Sequence, residues 1–209
     1  MPTVVEICAG GGGQALGLEA AGFECVAAVE IDSTACATLR LNRPAWNVLE
    51  CDVADVRGKT FRGVDLLAGG VPCPPFSIAG KQLGRRDERD VFPGALRLVE
   101  TIKPRAVLLE NVPGLASDKF AHYRRRIGVQ LEKLGYVATS QILNASQFGV
   151  PQLRPRFIIV ALRRSLMNGF DWPEPQKCAP LTVGATLHDL MASRGWTGAG
   201  AWAERADSI

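Results

Sequence analysis

Short, continuous apolar runs at residues 3–8, 25–29, 64–68, 106–109 and 157–162 alternate along the chain with stretches at 14–21, 33–42, 92–101 and 120–134 whose apolar side chains recur at helical spacing. Runs of that length rich in Val, Ile and Leu read as strands, and recurrence every three or four residues reads as helix. A strand wetted on one face would alternate apolar with polar residues. These runs do not, so both of their faces are expected to be covered. Alternation of strands and helices then predicts right-handed crossovers and a mainly parallel sheet with helices on both faces, an α/β fold of the Rossmann-like kind. A further short strand is expected at residues 48–51, just ahead of Asp52. In such sheets ligands bind beyond the carboxyl ends of the strands.

The pattern lapses twice. Residues 82–90, Gln-Leu-Gly-Arg-Arg-Asp-Glu-Arg-Asp, are polar and aperiodic and read as a loop. Beyond Arg164 the prolines at 173, 175 and 180 interrupt the chain, and residues 195–202 offer turn residues and two tryptophans with no evident core to enter. The expected division is therefore a domain over residues 1–170 and a separate beginning over 171–209. No internal repeat is visible.

Composition narrows the function classes. With 47% hydrophobic and 22% charged residues among 209, the chain has the makeup of one sizeable globular domain. A net charge of +3 is too small for a nucleic-acid coat. Arginines do cluster locally, at Arg85-Arg86-Arg89, Arg124-Arg125-Arg126 and Arg154-Arg156, so any contact with phosphates has to come from patches. Six cysteines with no Cys-x-x-Cys pair and only two histidines argue against zinc. No basic leader precedes a long apolar stretch, and no run of about 18 apolar residues occurs, which points to free thiols and a cytoplasmic protein.

Chemistry-bearing residues fall where the strands end. After the first strand, Cys8-Ala-Gly-Gly-Gly-Gly leads into a helix, and glycines such as Gly10, Gly12 and Gly13 allow a tight turn and a close approach of ligand to backbone. Glu30 ends the second strand, where a carboxylate can accept from both hydroxyls of a ribose. Asp52 follows the third and can accept from an adenine amino group. Loop and carboxylates together fit an adenosine cofactor without separating NAD from S-adenosyl-L-methionine. After the fourth strand, Cys73 stands between Pro72 and Pro74 on a stiff backbone that restricts where the thiol points. A core cysteine needs no such restraint, whereas a nucleophile has to be aimed before its substrate arrives. Glu110 ends another strand, and a carboxyl flanked by apolar residues there can donate a proton to a ring nitrogen. Arg154 and Arg156 lie two apart ahead of the last strand and are expected on one side of an extended segment, suited to a base carbonyl, a carboxylate or a phosphate.

In this order the glycine loop, Glu30, Asp52, Pro72-Cys73 with Phe76-Ser77, Asp87-x-Arg89, Glu110-Asn111-Val112 and Gln152-x-Arg154-x-Arg156 resemble the cytosine-5 DNA methyltransferases, over about residues 3–163. The resemblance implies a Rossmann-like methyltransferase fold, S-adenosyl-L-methionine as cofactor, and duplex DNA with a flipped cytosine as partner. It implies that Cys73 attacks carbon 6 of the base while Glu110 supports ring nitrogen 3, with Arg154 and Arg156 holding the base and the active-site carboxylate. Cofactor contacts are implied for Cys8, Gly10, Gly12, Gly13, Glu30, Ile31, Asp52, Val53 and Pro72, and DNA contacts for Ser77, Arg85, Arg86 and Arg89.

Three departures qualify the resemblance. Pro74 stands where the family often has Gln, and Cys8 where an aromatic residue is common. The recognition domain and the returning segment that family members carry beyond the last strand are also missing, so the tail from Trp196 reads as the entrance to a recognition domain. The chain is accordingly expected to turn over weakly alone and to need the missing part or a second subunit. Competing readings are an RNA cytosine methyltransferase on the same domain, a binding module that keeps only the fold, and an NAD-dependent dehydrogenase. The last leaves Pro72-Cys73 and Gln152-x-Arg154-x-Arg156 unexplained.

Overall fold

Strand β1 (Thr3–Ile7) pairs in parallel with β2 (Glu24–Glu30) on one side and β4 (Leu66–Gly70) on the other. Outward from β2 comes β3 (Val48–Glu50), and outward from β4 comes β5 (Ala106–Asn111), both again parallel. Then the direction reverses: β7 (Pro155–Arg163) runs antiparallel to β5, and β6 (Tyr136–Asn144) takes the outer edge. The order is β3-β2-β1-β4-β5-β7-β6. This computed structural model describes residues 1–72, 90–177, 179 and 181–206, with the backbone alone at 203 and 206.

Two compact units divide the chain. The first, Met1–Gln141 with Phe157–Phe170, holds most of the sheet and the helices α1 (Gly13–Ala20), α2 (Ser33–Asn42), α3 (Phe92–Ile102) and α4 (Ala121–Lys133). Alternating strand residues feed opposite faces of its sheet. Val5, Ile7, Leu67, Val107 and Leu109 join Leu98, Val99 and Ile102 of α3 and Ile127 and Leu131 of α4 in one core. Val4, Leu66 and Ala68 face the other way, against Leu18 and Phe23. Helix α3 illustrates why the sequence folds so: its buried residues Phe92, Ala95, Leu96, Val99 and Ile102 repeat every three or four positions. It stops at Lys103, whose left-handed φ of 56° precedes Pro104, a residue that cannot continue the helix ladder. Close approach dictates Gly69, since a Cβ there would sit 2.5 Å from Ile7 Cγ1 across the β1–β4 pair.

The second unit is Ile142–Arg156 with Asp171–Ile209. It contains a turn at Ala145–Phe148 and helices α5 (Val183–Ser193) and α6 (Ala199–Ala206). Thr182 caps α5 by accepting from the Ala185 N–H, at 3.0 Å. The tryptophans that lacked an evident core meet each other edge to face, Trp196 and Trp202 having ring centroids 6.0 Å apart.

All five apolar runs and all four periodic stretches form the expected elements, and β3 lies at 48–50. Strand β6 escaped the pattern because it is an edge strand whose residues are mostly half-exposed, so no continuous apolar run announces it. Helix α5 escaped because its apolar side chains are largely exposed, as at Val183 and Leu190. Among the described residues no helix is long and apolar enough to cross a membrane.

Candidate active site

At the end of β1 the backbone bends through left-handed conformations at Cys8 (φ 52°), Gly10 (φ 53°) and Gly12 (φ 87°) before α1 begins at Gly13. Gly12 has no alternative there. A side chain would add strain to its positive φ and bring a Cβ to 2.7 Å from Leu39. The bend delivers the Gly10 N–H to Glu30 Oε2, at 2.7 Å. The other oxygen of Glu30 accepts from the N–H groups of Ile31 and Asp32, each at 2.9 Å. One carboxylate at the tip of β2 thus holds the glycine loop and the start of the next turn in register. Asp52 acts similarly beyond β3, its Oδ1 accepting from the Ala54 N–H at 2.7 Å.

These groups surround a cavity of about 290 Å³ lined by Cys8, Val29, Glu30, Ile31, Cys51, Asp52, Val53, Gly70, Pro72 and Val91. Six of the residues singled out for the cofactor, Cys8, Glu30, Ile31, Asp52, Val53 and Pro72, therefore meet in one space. Gly10, Gly12 and Gly13 form the adjoining loop. Ile31 is 66% exposed, an apolar shelf suited to a flat ring. Two carboxylates and no lysine or arginine are among the described lining residues. The same negative surroundings act on the thiols. Burial first, then the charges of Glu30, Asp52 and Glu6, push Cys8 up to about 12, and burial with Asp55 and Asp52 raises Cys51. Both therefore stay neutral thiols, unlike a nucleophile. A space of this size and sign suits a nucleoside with a cationic appendage better than a dinucleotide, whose pyrophosphate would meet carboxylates.

Beside this cavity stands Glu110, directly opposite Gly70 in the β4–β5 pair. A Cβ on Gly70 would lie 3.3 Å from Glu110 Oε2, so the carboxyl rests over the glycine that also walls the cavity. Its neighbour Asn111 is 4% exposed. The Asn111 amide donates to the Val71 carbonyl at 2.8 Å, and its own oxygen accepts from the Val112 N–H at 2.8 Å. This fastens the end of β5 to the chain two residues ahead of position 73. Cys73, Ser77, Arg85, Arg86 and Arg89 lie outside the described residues.

Arg154 and Arg156 belong to the second unit. There Asn144 Oδ1 accepts from the Arg154 N–H at 2.9 Å, and the Arg154 carbonyl accepts from the Ala145 N–H at 3.2 Å. Asn144 also caps the turn at Ala145–Phe148, accepting from the Ser146 N–H. The Arg156 guanidinium donates to the Pro155 carbonyl at 2.8 Å. The structure thus brings the cofactor residues and Glu110 together, while the two arginines stand on a separate unit.

Sequence reasoning missed Asn111 as a fastener and Glu6 altogether. Glu6 lies in the middle of β1, 1% exposed, on the face opposite Val5 and Ile7. Burial, the largest influence, raises its carboxyl to about 8; a bond from the Ala15 backbone opposes that and the charge of Glu30 adds to it. A lone acid inside an otherwise apolar strand run was the available signal. A larger cavity, about 540 Å³, runs between α3 and α4 past Asp90, Phe92, Arg97, Tyr123 and Arg126. It touches none of the residues expected to serve catalysis, cofactor or DNA in the resemblance, so size alone does not mark the site.

The family model for C-5 cytosine-specific DNA methylase matches residues 2–207. The chain is 56% identical over 207 residues to the Type II methyltransferase M.NgoMIV of Neisseria gonorrhoeae, covering 99% of this chain and 66% of that protein. It is 57% identical over 209 residues to M.NaeI of Lentzea aerocolonigenes, covering 99% and 50%. Among solved structures, an E. coli prophage protein described as a DNA modification methyltransferase superposes with a TM-score of 0.76 at 28% identity, over 90% of this chain and 54% of that one. The S. pombe Dnmt2 methyltransferase does so with a TM-score of 0.63 at 25% identity, over 82% and 51%. The chain spans only 66% and 50% of the length of these two curated relatives. It belongs to the C-5 cytosine-specific DNA methylase family.

Proposed function

We propose that this chain carries the cofactor-binding and catalytic part of a DNA (cytosine-5) methyltransferase, which moves a methyl group from S-adenosyl-L-methionine to carbon 5 of cytosine in duplex DNA. The observation that carries the reading is the carboxylate-lined cavity sharing Gly70 with the Glu110 carboxyl. The residues present fit the cofactor: Glu30 and Asp52 offer acceptors to ribose hydroxyls and an adenine amino group, Ile31 offers a face to the ring, and the absence of cations among the described lining favours a sulfonium. When bound, the cofactor supplies an electrophilic methyl group.

The chain's own groups would do the rest. A cytosine turned out of the stack presents carbon 6 to Cys73, whose thiolate adds there. As that bond forms, Glu110 meets ring nitrogen 3 and supplies the proton that keeps charge from building on the ring. Carbon 5 becomes nucleophilic and takes the methyl group. As the methyl group is taken, nitrogen 3 would return its proton to Glu110; loss of the carbon 5 proton to solvent then re-forms the 5,6 double bond and expels Cys73 as thiolate, so the enzyme is regenerated and the base has exchanged hydrogen for methyl. Arg154 and Arg156 would hold the base and the carboxyl, and Ser77, Arg85, Arg86 and Arg89 would meet the DNA. In this reading residues 1–170 are the catalytic portion and 171–209 open a target-recognition region. Turnover without the additional polypeptide of the relatives is expected to be weak, whereas a single covalent event asks only for the groups described here.

The test is covalent capture of duplex DNA carrying 5-fluorocytosine in the presence of S-adenosyl-L-methionine, alongside calorimetry. Wild-type chain should form the adduct and bind S-adenosylhomocysteine but not NAD. Cys73→Ser should lose the adduct entirely and keep the affinity. An adduct that survives in the serine variant, or binding of NAD in preference, overturns the reading.

A further inference from the structure

Beyond β3 the chain makes one turn of 3-10 helix, Val53–Asp55, and Asp52 and Val53 at its start both line the carboxylate-walled cavity. So short a turn leaves carbonyls at its far end without partners of its own. Arg97 of α3 takes them. Its Nη2 donates to the Val53 carbonyl at 2.8 Å and to the Ala54 carbonyl at 3.0 Å, and its Nη1 donates to the Val56 carbonyl at 3.1 Å. Among the described residues no carboxylate is in ion-pair contact with this guanidinium, so its planar fork serves the turn. Helix α3 presses on the same place, since a Cβ on Gly94 would lie 3.2 Å from Val53 Cγ1. Arg97 itself lines the larger cavity between α3 and α4 and does not line the carboxylate-walled one.

We propose that Arg97 is a positioning residue for adenine recognition: by holding the carbonyls of Val53, Ala54 and Val56, it fixes the turn that presents Asp52 and Val53 to the cavity. The inference rests on the function proposed above and deepens it, adding a residue that touches no cofactor atom. Asp52 Oδ1 is committed to the Ala54 N–H at 2.7 Å, and Ala54 is one of the residues Arg97 holds. Movement of the turn therefore carries the carboxylate with it. A hydrogen bond weakens steeply as donor and acceptor lose alignment, so the bond between Asp52 and the adenine amino group is the first to suffer. Glu30 is held separately, by the N–H groups of Gly10, Ile31 and Asp32, so its grip on the ribose should persist.

Calorimetry with two ligands reads that alignment: S-adenosylhomocysteine, and its analogue with hydrogen in place of the adenine 6-amino group. Wild-type chain should prefer the amino form by about tenfold, the worth of one hydrogen bond to a charged group. Arg97→Met keeps an apolar stem and removes every donor, and it should cut the preference to about twofold through weaker binding of the amino form. Arg97→Lys, which keeps the charge without the fork, should fall between the two. A purely structural role would lower both affinities, or the melting temperature alone, and leave the ratio at its wild-type value. That result overturns the inference and leaves the proposed function standing, as does a wild-type chain that binds both ligands equally. Should Arg97→Met fail to fold, the lysine variant decides, and a wild-type ratio there counts against the inference. Wild-type chain that binds neither ligand overturns the proposed function, and this inference with it.

Discussion

The cofactor end and the chemistry end of the same sheet are built by different means. Around the tips of β1, β2 and β3 the backbone does the holding. Three N–H groups converge on Glu30, another on Asp52, and the positive-φ turns through Gly10 and Gly12 bring the donors there. Beyond β4 and β5 side chains take over as donors, with the Asn111 amide on the Val71 carbonyl and the Tyr123 hydroxyl on the Asp90 carboxylate. The first arrangement makes a cavity whose shape is set by chain geometry. The second is built from two side-chain contacts, one on the Val71 carbonyl and one on the Asp90 carboxylate. On the function proposed above, the first arrangement suits a small cofactor of fixed shape.

If that contrast is sound, damage at one end should spare the other. Glu30→Ala is expected to have the largest effect, since it strips an acceptor from three backbone donors and, on the function proposed above, from the ribose at once. Charge-assisted bonds contribute about 1.5–3 kcal/mol each, so affinity for S-adenosylhomocysteine by calorimetry should fall at least a hundredfold. Circular dichroism should show the sheet retained. Unchanged affinity would mean the cavity is not where the cofactor sits.

Asn111→Ala comes next. It leaves the buried Val71 carbonyl without its partner, at a cost of about 1–3 kcal/mol. The rate of adduct formation should drop about 10- to 100-fold while cofactor affinity holds. Equal losses in both would erase the distinction between the two ends.

The smallest effect, and the subtlest, belongs to Glu6. Between the ordinary 4.5 of a glutamate and about 8, the folded chain keeps this proton and the unfolded chain has lost it. Stability therefore falls as pH rises through that window and levels off above it. Glu6→Gln should remove this part of the slope and raise the melting temperature at neutral pH by a few degrees. Melting curves taken across the window for both proteins check the sign. Parallel slopes would show that Glu6 is not the group responsible.

Much of this was legible in the sequence, and what was not has definable causes. Strands buried on both faces announce themselves as unbroken apolar runs, so β1, β2, β4, β5 and β7 were visible. Glycines before a helix and acids at strand ends are local signals that pointed to Glu30 and Asp52, while the resemblance added Cys8 and Pro72; all four line one cavity. Asn111 and Tyr123 could not be assigned their roles that way. What they do depends on which strand or helix end lies across from them, and neighbouring residues in the chain carry no trace of it. Glu6 is an intermediate case: its oddness shows in the sequence, but its proton affinity follows from burial depth, which only the assembled sheet defines. Strand β6, half-exposed along an edge, lacked the run that burial imposes on its neighbours.

The polarity of β7 has one more consequence. Because it opposes β5, with Phe157 across from Asn111 and Leu162 across from Ala106, it is the beginning of this strand and not its finish that lies level with the Glu110 carboxyl. The peptide leaving at Arg163 sets off from the far border, near the Arg105 carbonyl that accepts its N–H. A fluorophore attached by way of residue 164 should therefore be blind to cofactor uptake, whereas one installed just upstream of Phe157 should report it.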